Sequence, residues 1–253
     1  MVVALWAVLA AGCGSDGSEN GTAAPPVTTA TPTTVVPTTV VTPTTALART
    51  TVTTRPAPTP AADRATAQRI LLTPADVPNL PTAKPSNYTP IYAQCGKNPL
   101  LPGGDDPRQA LPVAFLKDET VEVRRLQTTA LGAYAVLAPS EAAARSTMDT
   151  LRSREFRTCL ERELTAAVNA LVASSTPVVQ GAATVELATP AMGDDVVAFR
   201  TTLTQRSSRQ VFELTTVRKG RAIASVVTSR LGEVPFPDDE RVRLARLLTS
   251  RMP

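Results

Sequence analysis

Residues 211–229 read VFELTTVRKGRAIASVVTS, and this stretch predicts two β-strands joined by a tight turn. Val211–Arg218 and Arg221–Ser229 are rich in β-branched residues, which favour strands. Gly220 lies between them, and glycine readily supplies the positive φ that a hairpin turn needs. Ala222–Val227 is apolar on both faces, which is typical of a strand in the middle of a sheet. We therefore expect a fold built around antiparallel strands.

Further strand patterns lie upstream of this hairpin. In Asp195–Thr204 apolar and polar residues alternate, so that Val197, Phe199 and Leu203 share one face. Shorter strands are predicted at Pro112–Lys117, Thr120–Leu126, Ala130–Leu137 and Val185–Leu187. Because successive strands joined by short turns favour antiparallel pairing, the sheet is expected to be antiparallel.

Two main helices are predicted in addition to the strands. Ser140 is suited to cap the first helix, because its hydroxyl can accept a hydrogen bond from a free backbone N–H. The apolar stripe of this helix continues through a kink and comprises Met148, Leu151, Phe156, Leu160, Leu164, Val168 and Leu171. Asp238 is expected to cap the second helix. Its apolar side carries Val242, Ala245 and Leu248, and its other side carries Arg241, Arg243 and Arg246.

The remaining segments are a short helix and a long loop. The short helix begins at Asp63 and ends before Pro74, whose ring removes a backbone donor. Pro81–Pro112 is rich in Pro, Gly and Asp and is predicted to be an irregular loop. The predicted fold class is α+β, an antiparallel β-sheet with the two main α-helices packed on one face.

The chain begins with an apolar segment that ends at a cysteine. Met1–Gly12 reads MVVALWAVLAAG, which is shorter than the roughly 20 residues of a membrane-spanning helix but fits the apolar core of a signal peptide. Leu9–Cys13 resembles a bacterial lipobox, in which the cysteine thiol receives a diacylglyceryl group. We expect lipidation of Cys13, which would hold the protein on the extracytoplasmic face of the cell membrane. A secretory signal without lipidation and a core helix with a buried cysteine are the alternatives.

A Thr/Pro-rich segment, residues 17–62, follows the cysteine and includes TPTTVVPTTVVTPTT. Its composition cannot bury enough apolar surface to offset the entropy of ordering the chain. We expect a disordered, extended stalk that could reach on the order of 100 Å or more at roughly 3 Å per residue. The predicted organisation is a signal peptide at residues 1–12, a lipidated cysteine and linker at residues 13–62, and one globular domain at residues 63–253.

The composition excludes several kinds of chemistry. The chain has no histidine, which excludes Ser-His-Asp and Cys-His catalysis and zinc sites with histidine ligands. Its net charge is +4, but the arginines are dispersed among acidic residues, whereas nucleic-acid binding needs clustered basic residues. Gly103–Pro107, GGDDP, is predicted to be a turn rather than a calcium loop, because no acidic ligands follow at the required spacing. We expect no metal, no cofactor and no nucleic-acid partner.

Cys95 and Cys159 are the two cysteines that remain when Cys13 is lipidated. An even pair in an exported domain predicts a disulfide between them. Closing a loop of about 64 residues stabilises a fold by roughly 4 kcal/mol in the entropic model. The bond would pin the irregular loop onto the long helix. A catalytic thiol is the alternative, and it would need a base or a cationic helix end to lower its pKa.

Paired carboxylates are the remaining route to catalysis without histidine. The candidate acids are Glu186, Asp194, Asp195, Asp238, Asp239 and Glu240. The last three are better explained as a helix start, where negative charge complements the helix dipole. Gly193, immediately before the other aspartate pair, indicates a turn. We therefore expect no catalytic residues and no enzymatic activity.

Short motifs occur throughout the folded part of the chain. They are LLTPADVPNL at Leu71–Leu80, AQCGK at Ala93–Lys97, GAYAVLAPSEAAARSTMDTL at Gly132–Leu151 leading to Cys159, VRKGRAIASVVTS at Val217–Ser229 and DDERVRLARLL at Asp238–Leu248. Together they resemble actinobacterial exported domains related to the extracellular sensor domain of PknH-type serine/threonine kinases. The resemblance covers most of residues 63–253. It implies an antiparallel sheet with helices and a ligand-binding cleft, and it supplies no catalytic residues.

These observations predict a cell-envelope lipoprotein whose extracytoplasmic, sensor-like domain binds a ligand or partner. The expected partner is an unidentified small molecule, lipid or envelope protein, and the lipid anchor supplies contact with the membrane. A histidine-independent envelope hydrolase that uses paired carboxylates is one alternative. The other is an envelope scaffold that binds through an exposed apolar patch.

Overall fold

The computed structural model describes residues 58–83, 91–122, 125–171, 178–206, 208–232 and 235–253. The predicted signal peptide, Cys13 and the linker up to residue 57 lie outside these residues. No helix in the described ranges is long and apolar enough to cross a membrane.

A seven-stranded antiparallel sheet forms the centre of the fold, which confirms the predicted α+β class. The strands are β1 (Thr82–Ala83), β2 (Val113–Glu122), β3 (Arg125–Leu137), β4 (Val179–Glu186), β5 (Asp195–Gln205), β6 (Arg209–Lys219) and β7 (Ala222–Leu231). Their order across the sheet is β1-β2-β3-β7-β6-β5-β4. The last strand in the chain therefore lies in the middle and joins two sets of neighbouring strands.

β6 and β7 form the hairpin that residues 211–229 predicted. Lys219 pairs with Ala222, so Gly220 and Arg221 are the turn residues, and Gly220 has a φ of 56°. Residues 222–228 of β7 are all buried between β3 and β6. The central position expected from their apolar character is confirmed.

β2 and β3 form one long hairpin where the sequence pattern predicted three shorter strands. Val113 pairs with Ala133 and Glu122 pairs with Arg125, with one irregularity between Thr120 and Glu122. Polar residues interrupt the apolar pattern in this region but not the ladder, because strand pairing uses backbone groups that every residue except proline supplies. β4 is also longer than predicted, because the predicted strand, Val185–Leu187, overlaps only its C-terminal end.

Five α-helices and a short 3-10 helix, Pro74–Asp76, accompany the sheet in the described part of the chain. The α-helices are α1 (Pro60–Ile70), α2 (Ile91–Gly96), α3 (Glu141–Arg152), α4 (Arg154–Leu171) and α5 (Asp238–Arg251). The predicted kinked helix is thus two helices, α3 and α4. Ser140 caps α3 as predicted, since its hydroxyl accepts the N–H of Ala143 at 3.1 Å. Ser153 separates the helices: its backbone is extended, and its hydroxyl accepts the N–H of Phe156 at 3.0 Å.

The helices cover both faces of the sheet. α2, α3 and α4 pack on the face that carries Val197, Phe199 and Leu203. α1 and α5 pack on the opposite face, against side chains that include Ala133 and Val226. The C-terminal helix therefore lies opposite α3 and α4, which differs from the expected packing of both main helices on one face. Because the central strands are apolar on both sides, each side needs a helical cover.

The start of α5 also differs from the expected one. Its N-cap is Pro237, and Asp238 is its first residue rather than its cap. The Asp238 carboxylate instead accepts hydrogen bonds from Arg200 at 3.1 Å and from Arg241 at 3.3 Å. Arg241, predicted on the polar side, is only 2% exposed, and its Nη1 donates to the Thr215 hydroxyl at 3.1 Å. A buried guanidinium is tolerated here because the carboxylate and the hydroxyl satisfy it.

β4 is an outer strand whose edge is partly closed by α4. Thr184 of β4 pairs with Thr201 of β5. The backbone N–H of Thr184 donates to the Glu161 carboxylate of α4 at 2.6 Å. An unpaired edge N–H is a site at which another strand can add, so Glu161 blocks the middle of this edge.

Candidate binding crevice

A disulfide joins Cys95 in α2 to Cys159 in α4, with the two Cα atoms 5.4 Å apart. This is the pair that the cysteine count predicted. α2 has only six residues, and a helix of that length is not stable without tertiary contacts. Ile91 and Tyr92 supply such contacts at its start, where both side chains are buried. The predicted loop between Pro81 and Pro112 therefore contains a helix that is fixed at both ends.

The chain turns back immediately after α2. Lys97 has a φ of 46°, which is uncommon for a residue with a side chain. The Asn98 amide donates to the Thr147 hydroxyl of α3 at 3.0 Å and accepts the N–H of Leu100 at 3.0 Å. Leu101 is fully buried. These contacts attach the segment after α2, residues 98–101, to α3.

An open crevice of about 470 Å³ lies beside this turn. Its lining residues are Ala93, Gln94, Lys97, Asn98, Pro99, Gly103, Gly104 and Asp105. The volume falls within the range of about 300–1,000 Å³ that is usual for small-molecule sites. Gly104 lies so close to the backbone of Pro99 that a Cβ atom would not fit. The absence of a side chain at this position therefore allows the close approach of two lining segments.

Lys97 and Asp105 bring opposite charges to the crevice. Both residues are exposed, and neither side chain forms an ion pair with another described residue. Gln94, also exposed, adds a side-chain amide. Free charged groups at the rim of a small concave surface can bind a ligand through charge-assisted hydrogen bonds. The crevice therefore combines apolar surface with two charged groups and an amide that can bind the polar part of a small ligand.

Where a single turn was predicted, the Gly103–Pro107 segment joins two turns, closed by the Gly104 N–H on the Leu101 carbonyl at 2.9 Å and the Gln109 N–H on the Asp106 carbonyl at 2.9 Å. The Asp106 carboxylate accepts the N–H of Arg108 at 2.8 Å and lies 3.5 Å from Nη1 of the same arginine. Asp106 is thus occupied within the turn, whereas Asp105 faces the crevice. In the part of the chain that the structure describes, no three Asp, Glu, Cys or His side chains are grouped to hold a metal ion.

Asp194 and Asp195 are both bound by arginines. Asp194 accepts hydrogen bonds from Arg218 at 3.0 Å and from the N–H of Gly220 at 2.7 Å. Both carboxylate oxygens of Asp195 accept from Arg152 of α3. These bonds hold the pKa of Asp195 below its ordinary value, against the opposing effect of burial. A catalytic general acid needs the opposite shift, so Asp195 is suited to an ion pair.

The other candidate acids lie away from the crevice as well. Arginines pair with three of them: Glu186 with Arg157 at 3.6 Å, Asp238 with Arg200 at 3.1 Å and Glu240 with Arg243 at 2.6 Å. Asp239 is exposed. None of the six acids predicted from the sequence lines the crevice.

The sequence analysis missed Gln94, Lys97 and Asp105 as candidate site residues. Isolated polar residues in a segment rich in Pro and Gly have no periodicity that would assign them to a common surface. The one useful signal was Cys95, because a predicted disulfide also fixes the position of its chain neighbours. Lys97 and Asp105 line the same crevice because the chain turns back immediately after α2, and no sequence pattern predicted this turn.

Comparisons with known proteins give one structural neighbour. No protein-family model matches the chain, and no curated protein matches it by sequence. The crystal structure of the extracellular domain of PknH from Mycobacterium tuberculosis matches with a TM-score of 0.37 and 7% sequence identity. The match covers 75% of this chain and 95% of that domain. At this identity and TM-score, no residue role is carried over from that domain.

Proposed function

We propose that this chain is an exported protein, anchored to the membrane by a lipid on Cys13, whose folded domain binds a small polar ligand in the crevice beside the Cys95–Cys159 disulfide. Two observations support export. The apolar segment Met1–Gly12 ends at a lipobox-like cysteine, and disulfides persist in oxidising compartments outside the cytosol.

The proposed binding role rests on Lys97 and Asp105, which line one crevice and form no ion pair with another described residue. Lys97 is suited to bind an anionic group, and Asp105 is suited to accept hydrogen bonds from a cationic or N–H group. A ligand with both groups, such as a zwitterion of amino-acid type, would satisfy both side chains. The crevice is open, which suits a small molecule or the end of a longer one.

A binding role is preferred to a catalytic role for this domain. The pairing of Asp194, Asp195 and Asp238 with arginines favours structural functions for these acids. A scaffold role has little support, because Leu111 and Val185 are the two exposed large apolar side chains in the described residues. They lie next to β2 and within β4, near opposite edges of the sheet.

Ligand binding is tested by NMR titration of the full chain carrying Cys13→Ala. The probes are acetate, alanine and the dipeptide alanyl-alanine. Alanine or the dipeptide is expected to shift the amide signals of residues 93–105, and acetate is expected to bind more weakly. Lys97→Gln and Asp105→Asn should each weaken binding by about tenfold, the effect of losing one charge-assisted hydrogen bond.

Arg145→Gln is the matched control, since Arg145 is an exposed residue of α3 that does not line the crevice. The binding proposal fails if no probe shifts residues 93–105, or if the two crevice variants bind as tightly as the control.

Anchoring is tested by fractionation of cells that express the full chain. The wild-type protein should enter the membrane fraction and incorporate a clickable palmitate analogue, and Cys13→Ala should lose both properties. Equal labelling of the wild type and Cys13→Ala would refute lipidation at this residue.

A further inference from the structure

We propose that the Cys95–Cys159 disulfide is a reducible bond that controls the shape of the crevice, so that an external dithiol alters binding at this site. The inference rests on the proposed binding function and adds a means of regulating it. Its basis is the position of the bond between α2, which carries one wall of the crevice, and α4, which belongs to the core.

The disulfide is the strongest attachment of the crevice wall. Ala93, Gln94 and Lys97 line the crevice and flank Cys95 on α2 and the turn after it. The other wall, at Pro99 and residues 103–105, follows the segment that Asn98 and Leu101 attach to the core. A hydrogen bond from the Asn98 N–H to the Ala93 carbonyl, at 3.3 Å, links the two walls. Breaking the disulfide therefore removes the covalent attachment of the α2 wall but not its contact with the other wall.

Neither half of the disulfide lies in the fully buried core. Both Cys95 and Cys159 are partly exposed rather than buried. Arg162, one turn beyond Cys159 on α4, places its Nη2 atom 3.4 Å from the Cys159 sulfur. A neighbouring cation stabilises a thiolate, so Cys159 is the better leaving group of the two cysteines. Glu163 also pairs with Arg162, at 2.8 Å, and moderates this effect.

A dithiol supplies the two electrons and two protons that reduction of the disulfide requires. One thiolate of the dithiol attacks the Cys95 sulfur, the S–S bond breaks, and the electron pair leaves on the Cys159 sulfur beside Arg162. The second thiol of the donor then attacks the mixed disulfide and releases Cys95 as a thiolate. The donor becomes a disulfide, and its two protons pass to Cys95 and Cys159.

The expected structural result is local loosening. After reduction, α2 would keep the buried side chains of Ile91 and Tyr92 at its start and the hydrogen bond from the Asn98 N–H to the Ala93 carbonyl at 3.3 Å, which constrain it less than a covalent bond does. The central strands should stay folded after reduction, because each forms backbone ladders with two neighbouring strands. Reduction should therefore increase motion of residues 93–97 and leave the sheet intact.

The test uses the full chain carrying Cys13→Ala, whose only cysteines are Cys95 and Cys159. The protein is incubated in dithiothreitol buffers without denaturant, alkylated and weighed by intact mass spectrometry, while amide hydrogen exchange is followed in parallel. We expect full reduction, exchange at least about tenfold faster in residues 93–97, and a sheet that stays folded, with slow exchange retained in β5, β6 and β7. The proposal fails if the cysteines react only when the sheet unfolds, or if exchange in residues 93–97 does not change.

The role of Arg162 has its own matched control. Arg162→Gln should slow reduction by dithiothreitol by roughly threefold to tenfold, because the departing thiolate loses its neighbouring cation. Arg154→Gln removes the same charge from an exposed position at the start of α4 and should leave the rate unchanged. Equal rates for the two variants would eliminate the electrostatic part of the proposal.

A second arm separates this proposal from the proposed function. Alanine is titrated into the oxidised and the reduced protein, and reduction should weaken its binding by at least about tenfold, equivalent to 1.4 kcal/mol. If alanine does not bind the oxidised protein, the proposed ligand class fails, but the hydrogen-exchange result still decides whether the disulfide controls the crevice wall. Equal binding to both forms would contradict redox control of the site.

Discussion

Arg221 in the β6–β7 turn and Asp63 of α1 form a bidentate ion pair across 158 residues of sequence, with Nη2 2.9 Å from Oδ1 and Nη1 3.3 Å from Oδ2. Asp63 is 4% exposed, so its carboxylate needs polar partners within the fold. Arg221 also donates to the carbonyl of Ala138 at 2.9 Å. The pair therefore joins the first helix of the described domain to its central hairpin.

Removing Arg221 is expected to destabilise the domain strongly. Arg221→Met leaves Asp63 as a buried carboxylate whose remaining cationic neighbour is Arg108, 3.6 Å away. Loss of one partner from a buried pair costs about 3 kcal/mol or more. Urea unfolding should show this loss in the free energy of unfolding. Arg145→Met, which removes an exposed ion pair with Glu141, should cost about 0.5 kcal/mol or less, and similar losses in both variants would contradict the assignment.

The effects of substituting Glu213 and Arg200 on the free energy of unfolding should be strongly coupled. Glu213 is 1% exposed and accepts hydrogen bonds from Arg200 at 2.6 Å and from the Thr228 hydroxyl at 3.2 Å. Arg200→Met should lower the free energy of unfolding by about 3 kcal/mol, since it leaves the carboxylate buried without its cation. The double variant Arg200→Met/Glu213→Met should regain most of that loss. Additive losses in a double-mutant cycle would show that the two residues act independently.

Two turn glycines should respond differently to alanine. Gly193 and Gly220 have φ values of 60° and 56°, so alanine is strained at both positions. A Cβ at Gly193 would also overlap the carbonyl oxygen of Arg218, whereas a Cβ at Gly220 would meet open space. Gly220→Ala should cost about 1 kcal/mol, and Gly193→Ala should cost clearly more. Thermal unfolding of the two variants measures the difference, and equal melting temperatures would argue against the overlap.

The carboxylates of Asp76 and Asp195 should make the free energy of unfolding decrease in acid. Burial raises the pKa of Asp76, but hydrogen bonds from Arg251 and Thr73 outweigh it, so the net pKa lies below the ordinary value. Hydrogen bonds from Arg152 lower the pKa of Asp195. A carboxylate with a lowered folded-state pKa stabilises the fold above the unfolded value of about 3.9. This stabilisation is lost as the pH falls through the folded-state pKa.

Urea unfolding midpoints measured from about pH 6 down to pH 2 test this expectation. The wild type should lose stability steadily below about pH 4, and Asp76→Asn/Asp195→Asn should be less stable at pH 6 but have a shallower slope. Asp149→Asn serves as control, because 79% of that side chain is exposed. A slope that is equally steep in the double variant would show that other groups cause the acid loss.

Much of the sheet and one helix boundary could be predicted from local patterns. The β6–β7 hairpin followed from β-branched runs around Gly220, and the start of α3 followed from Ser140. These features depend on residues close together in sequence. The placement of α5 was harder, because an amphipathic pattern shows that a helix has a buried side but not which face of the sheet it meets. The apolar residues on both faces of β7 indicated that each face of the sheet needs a helical cover.

The candidate site was much less predictable than the fold. The disulfide followed from counting cysteines in a chain with an export-like start. The crevice depends on contacts between distant residues, such as Asn98 with Thr147, for which the sequence pattern has no local signal. The burial of Arg241 could not be predicted for the same reason, because it depends on contacts with Thr215 and Asp238 and not on the position of Arg241 in the helix.

The hydrogen bond between the Glu161 carboxylate and the Thr184 amide has a consequence for the membrane-anchored form proposed above. Proteins tethered side by side on a membrane meet one another far more often than proteins free in solution, and open strand edges then become points of fibre growth. Because the Glu161 carboxylate occupies the Thr184 N–H, a strand of a neighbouring molecule cannot form a backbone hydrogen bond to β4 at this position. Crowding of this domain would therefore favour transient collisions over permanent stacking.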